Sequence, residues 1–148
     1  MAMVNWEVFL NQLVGCVRSG RGVIINRQLQ PLAIENFDRE KFSDATFIAT
    51  LPLEKAIQSG KIEIGNDAIL SAQAPSTNTN MSDIRGVIII PIEGQGALYL
   101  DQPIRVGIIP RFTVDKIAQL LHEYAQGLVT EADLPARLKT IFPFRGGA

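Results

Sequence analysis

Residues 86–101 read GVIIIPIEGQGALYLD, from Gly86 to Asp101. Val87, Ile88, Ile89 and Ile90 form a β-branched run, Ile92 follows Pro91, and Ala97-Leu98-Tyr99-Leu100 is a second apolar run. β-branched and aromatic side chains suit a packed, pleated surface. Between the runs stands Glu93-Gly94-Gln95-Gly96, and glycine adopts the positive φ that a tight reversal needs. The stretch predicts a β-hairpin. Neither run alternates with polar residues, so both faces of this hairpin are expected to be covered, as at the centre of a sheet.

Toward the N-terminus, Trp6, Phe9, Leu10, Leu13, Val14 and Val17 recur at the spacing of one helical face, with Asn5 placed to cap it. Gly20-Arg21-Gly22 ends that helix. Val23-Ile24-Ile25 and Leu32-Ala33-Ile34 predict two short strands joined at Asn26-Arg27-Gln28. A second helix is expected after Thr50, with Pro52 in its first turn, Leu53, Ala56 and Ile57 facing inward and Gly60 stopping it. Lys61-Ile62-Glu63-Ile64 alternates as an edge-like strand does. Asp67 to Arg85 is the one long polar connection, and its length marks it as either a mobile or a functional segment.

Beyond the hairpin, Gln102 to Arg111 reads as a loop. Thr113 is placed to cap the next helix, with Phe112 and Ile117 spaced as a hydrophobic staple. Ile117, Leu120, Leu121, Tyr124 and Leu128 form its inner face, Gly127 ends it, and a short helix is expected from about Asp133 to Ile141. This order predicts an α+β fold. It has an antiparallel sheet of about five or six strands, the terminal helices packed on one face, and the middle helix with the long loop on the other. Residues 1–148 are expected to form one domain, closing with a short helix and tail over residues 129–148.

A chain of 148 residues buries roughly 70% of the surface its unfolded form exposes and needs no metal or disulfide to hold it. The formal net charge of -1 supplies no basic surface of the kind nucleic acids or acidic membranes require. The single cysteine, Cys16, forms no internal disulfide and fits a reducing compartment. No apolar run has the length of a membrane span and no secretory leader is read at the N-terminus, so the cytoplasm is the expected location.

Chemistry has few carriers. His122 is the one histidine, and it falls off the Ile117, Leu120, Tyr124 face. One Cys and one His do not supply the four ligands of a structural zinc site. Cys16 reads as a small core or interface residue. Gly20-Arg21-Gly22 precedes a strand and Gly94-Gln95-Gly96 lies within a hairpin, so neither is a phosphate cradle. Glu63, Asp67, Asp83, Glu93 and Asp101 are scattered and read as solvated or loop-capping carboxylates. No catalytic residue, metal or cofactor is expected, and the chain does not read as an enzyme.

The strand Val87-Ile88-Ile89-Ile90-Pro91-Ile92, the turn Gly94 to Gly96, the strand Leu98-Tyr99-Leu100-Asp101 and the helix start Phe112-Thr113-Val114-Asp115 follow one another in a distinctive order. Upstream, Leu53-Glu54-Lys55-Ala56-Ile57-Gln58-Ser59-Gly60-Lys61 adds a helix and its turn into a strand. Together these elements resemble the GAF domain family, from about Leu51 to Ala125. PAS and roadblock-like domains share enough of the topology to stand as alternatives. The central turn is shorter than the usual family hairpin. The family's cyclic-nucleotide motif is absent, no cysteine stands beside a histidine in the pocket region for bilin attachment, and that region holds no cysteine for methionine-sulfoxide reduction.

The resemblance implies a sensory or regulatory signalling domain, often a homodimer through its terminal helices, with a small ligand between the sheet and the third-strand loop. On that reading the ligand residues are Asn66, Asp67, Asp83, Arg85, Ile88, Ile90 and Tyr99. The dimer interface is Trp6, Phe9, Leu13, Leu121 and Leu128, to which Val17 belongs by spacing. Arg85 is expected to meet either an anionic ligand or Asp83. The expected partners are a small molecule, a second copy, and a signalling protein or an output domain outside these residues. The chain is then either whole or a piece of a kinase, phosphodiesterase or transcription regulator. The other reading is a pocketless adaptor that only dimerises or docks.

Overall fold

A computed structural model describes residues 4–36, 50–66 and 85–143, without the side chains of residues 50–52 and 66. The hairpin is the centre of the molecule. Its arms are β4, Arg85–Ile92, and β5, Gly96–Pro103. They join β1 (Arg21–Asn26), β2 (Pro31–Glu35) and β3 (Glu63–Asn66) in a five-stranded antiparallel sheet of order β2-β1-β5-β4-β3. Every residue of β5 is buried, because β1 flanks it on one side and β4 on the other and both of its faces are covered.

Alternation divides the hairpin between two cores. Ile88 pairs with Leu100 and Ile90 with Leu98, whereas Val87 pairs with Asp101 and Ile89 with Tyr99. Paired residues share a face and neighbours along a strand do not. Ile88, Ile90, Ile92, Leu98 and Leu100, with Ile24 of β1, pack against α1 (Trp6–Val14), α3 (Arg111–Ala125) and α4 (Leu134–Ile141). Val23, Ile25, Val87, Ile89, Ala97 and Tyr99 pack against Leu53 and Ala56 of α2, Thr50–Ser59. The fold is α+β, with the terminal helices on one face and the middle helix on the other. Residues 37–49 and 67–84, which include most of the long polar connection, lie outside the described residues.

The helix ends show local chemistry. Asn5 Oδ1 accepts from the Val8 N–H at 3.2 Å, the expected cap. The regular helix stops at Val14, earlier than the apolar spacing implied, yet Val17 is still buried in the turns that follow. β3 lies two residues later than the alternation predicted. Gly22 sits where a side chain would meet Leu10 Cδ1 at 2.8 Å and Val14 Cγ2 at 2.9 Å, so its bare backbone lets α1 lie close on β1.

Three expectations at α3 are corrected. Its N-cap is Pro110, not Thr113. Pro110 holds φ at -65°, already suited to a helix entry, and its carbonyl accepts from the Thr113 N–H at 2.9 Å and the Val114 N–H at 3.0 Å. Thr113 is therefore buried inside the first turn. Phe112 points to solvent, 64% exposed, while Ile117 is fully buried, so the two form no staple. At the other end the helix stops at Ala125, and Gly127 turns the chain with φ 78°. That break carries Leu128 off the inner face and leaves it 69% exposed.

Tyr124 anchors α3 to α1. Its ring lies 5.0 Å from Phe9 and 5.6 Å from Trp6, centroid to centroid, and its hydroxyl donates to the Asn5 carbonyl at 2.7 Å. Burial, with the Glu131 carboxylate acting in the same direction, raises the phenol's pKa above its ordinary 10.0. A raised folded-state pKa means that this stabilisation is fully present below about pH 10 and is lost as pH rises through the folded value. Tyr124→Phe is expected to cost about 1 kcal/mol, seen as a melting temperature lower by about 3 °C at pH 7. A difference titration against the variant should give a phenol midpoint above 10.0, and a midpoint at or below that value would contradict the burial account.

Candidate functional site

The polar exception in the sheet lies on the α2 face, at the end away from the hairpin turn. Asp101 of β5 has a fully buried side chain. Arg21, at the head of β1, grips it with both arms, Nε to Oδ1 at 3.0 Å and Nη2 to Oδ2 at 2.8 Å. Arg85, at the head of β4, donates from Nε to Oδ1 at 2.7 Å and from Nη2 to the Ser19 carbonyl at 2.7 Å. Tyr99, two residues along the same face as Asp101, donates its hydroxyl to Oδ2 at 2.6 Å.

The strand register produces this meeting. Arg21 is paired directly with Asp101, and Arg85 and Asp101 flank the Val87 position on one face. Charge-assisted and bidentate bonds of this kind are shorter and stronger than neutral ones. A carboxylate offers about four lone-pair positions, and the four bonds above occupy them. Asp101 thus fastens β1, β4 and β5 to one another.

Among the sequence-predicted ligand residues, the structure brings Arg85 and Tyr99 together, through Asp101. Arg85 meets Asp101 of the neighbouring strand. Asp83, its expected local partner, and Asp67 lie outside the described residues. Asn66 is placed by its backbone at the end of β3, paired with Gly86. Ile88 and Ile90 are corrected: they face α1, α3 and α4 and share no floor with Tyr99, because the pleat sends them through the opposite side of the sheet.

The predicted dimer residues are corrected as well. Trp6, Phe9, Leu13 and Leu121 are buried within this one chain, with Val17 beside them. Their helical stripe is spent on the sheet and on one another. Leu128 alone of that set is exposed.

Sequence reasoning missed Asp101, read as a solvated or capping carboxylate, and Arg21, read as part of a helix stop. The signal was present: an arginine heads each strand that flanks β5, and Tyr99 and Asp101 share parity on β5. His122 is exposed on α3, bordering a hollow with Glu93 and Gln95 at the hairpin end. Cys16 is half-buried beside a different groove, with its thiol 3.3 Å from the Gln12 carbonyl, so the two do not meet. Among the described residues no three His, Cys, Asp or Glu side chains gather as a metal set, and no helix is long and apolar enough to cross a membrane.

Comparison of the chain with family models, with curated proteins and with solved structures finds no match.

Proposed function

We propose that this chain is a non-catalytic, GAF-like regulatory domain that binds a small ligand on the α2 face of the sheet and passes its occupancy to a partner. The supporting observation is the unequal cover of the two faces. Three helices pack on one, whereas in the described residues the other carries the ten-residue α2 and the Arg21–Arg85–Asp101–Tyr99 cluster. The polar connection over residues 67–84 leaves from β3 and returns at Arg85, beside that cluster. Ligand control would follow from unequal affinity for two conformations.

The test is a thermal-shift screen with small cytoplasmic metabolites. A ligand at one hundred times its dissociation constant adds about 2.7 kcal/mol to the folded state, a rise of roughly 8 °C for a chain of this size. Backbone amide shifts should then centre on β1, β4, β5 and α2. A flat screen, or a hit whose shifts fall elsewhere, defeats this reading and leaves the pocketless adaptor.

A further inference from the structure

On the terminal-helix face a groove of about 440 Å³ opens between the turn after α1, the segment leading into α3 and the end of α4. The volume lies within the range of small-molecule sites. Buried Val17 and Ile141 line it with half-buried Ile109 and Phe142. Ile108, 72% exposed, and Phe112, 64% exposed, border it as well. They are two of the five exposed large hydrophobic side chains among the described residues, gathered at one place. The charged side chains in the lining are Arg18 and Lys116, and no carboxylate is among the described residues that line it. Lys116 Nζ stands 5.7 Å from the centre of the Phe112 ring, so cation and apolar surface are adjacent. Asp115 does not line the groove and is held by Arg111 at 3.0 Å.

We propose that this groove binds a small amphipathic carboxylate, an apolar ring or short chain ending in one anionic group. The apolar part covers Val17, Ile109 and Phe112, and the carboxylate meets Lys116 or Arg18. This is independent of the reading for the α2 face, since the two sites lie on opposite sides of the sheet.

The probe is 4-phenylbutyrate, titrated into the isotopically labelled full chain and followed by backbone amide shifts. Saturable changes are expected at residues 108–116 and 140–143, with a dissociation constant on the order of 1 mM for so small and open a site. The uncharged 4-phenylbutanamide should bind at least threefold more weakly. Lys116→Gln with Arg18→Gln should weaken the carboxylate about threefold to tenfold and leave the amide unchanged. Both side chains are exposed, so the variant is expected to fold, and its unperturbed amide spectrum checks this. Equal binding of acid and amide, an unaffected double variant, no saturable change by 20-fold above that constant, or shifts confined to the α2 face each overturn the proposal. Binding that emerges only in a chain ending at Pro143 also overturns it, by making the groove the seat of residues 144–148.

Discussion

Replacing Gly96 by alanine is expected to destabilise the protein by about 3 kcal/mol or more, among the larger effects of a single methyl group. The added carbon would stand 1.8 Å from the Ile25 carbonyl oxygen and 2.8 Å from Asn26 Cα, and the backbone there has φ 151°. Both obstacles are backbone atoms of β1, so no side-chain rotation relieves them. β1 would have to part from β5 at the Asn26–Gly96 pair, where the ladder begins. Gly94, in the same turn, is the control. It has φ 74° and nothing within 4 Å of the added carbon, so alanine there costs only the left-handed backbone conformation, about 1–2 kcal/mol. Urea unfolding of the two variants separates crowding from conformation. Equal losses would refute the steric account.

Asp101→Ala is expected to cost about 3–5 kcal/mol, the range for removing one partner of a buried ion pair. The loss is large because the arginines stay behind. Arg85 keeps a side chain only 18% exposed and Arg21 one 31% exposed, and the Tyr99 hydroxyl loses its 2.6 Å acceptor. Tyr99→Phe should cost far less, about 1–2 kcal/mol, since the carboxylate keeps its three charged bonds. If Asp101→Ala changed the unfolding free energy by less than 1 kcal/mol, the fastening role given to this carboxylate would fail.

Periodicity carried the fold. The apolar stripe from Trp6 to Val14, the paired runs on either side of Gly94 and the spacing of Ile117, Leu120 and Leu121 each name their element because burial imposes a period on the side chains. The layer arrangement followed from their order. Element ends were less legible where proline competed with a nearby cap, as Pro110 did with Thr113. Interface and core could not be separated from sequence, since Trp6 and Leu13 present the same stripe to a sheet or to a second chain. The polar cluster was the hardest feature to read. Arg21 and Asp101 stand 80 positions apart, and only the register of β1 against β5 brings them opposite each other. The floor drawn through Ile88, Ile90 and Tyr99 failed on parity alone, before any question of ligand.

The strand at the middle of the sheet is the last strand of the described chain to be synthesised. When β1 leaves the ribosome, its partner on the inner side is still about 70 residues downstream and not yet synthesised, and closing so long a loop carries an entropic cost that local turns do not. Until β5 emerges, the β1–β2 pair keeps an unpaired edge at Val23, Ile24 and Ile25, the kind of apolar strand that associates with others of its type. The arrangement that gives the finished sheet its most protected strand thus gives the growing chain its most vulnerable interval.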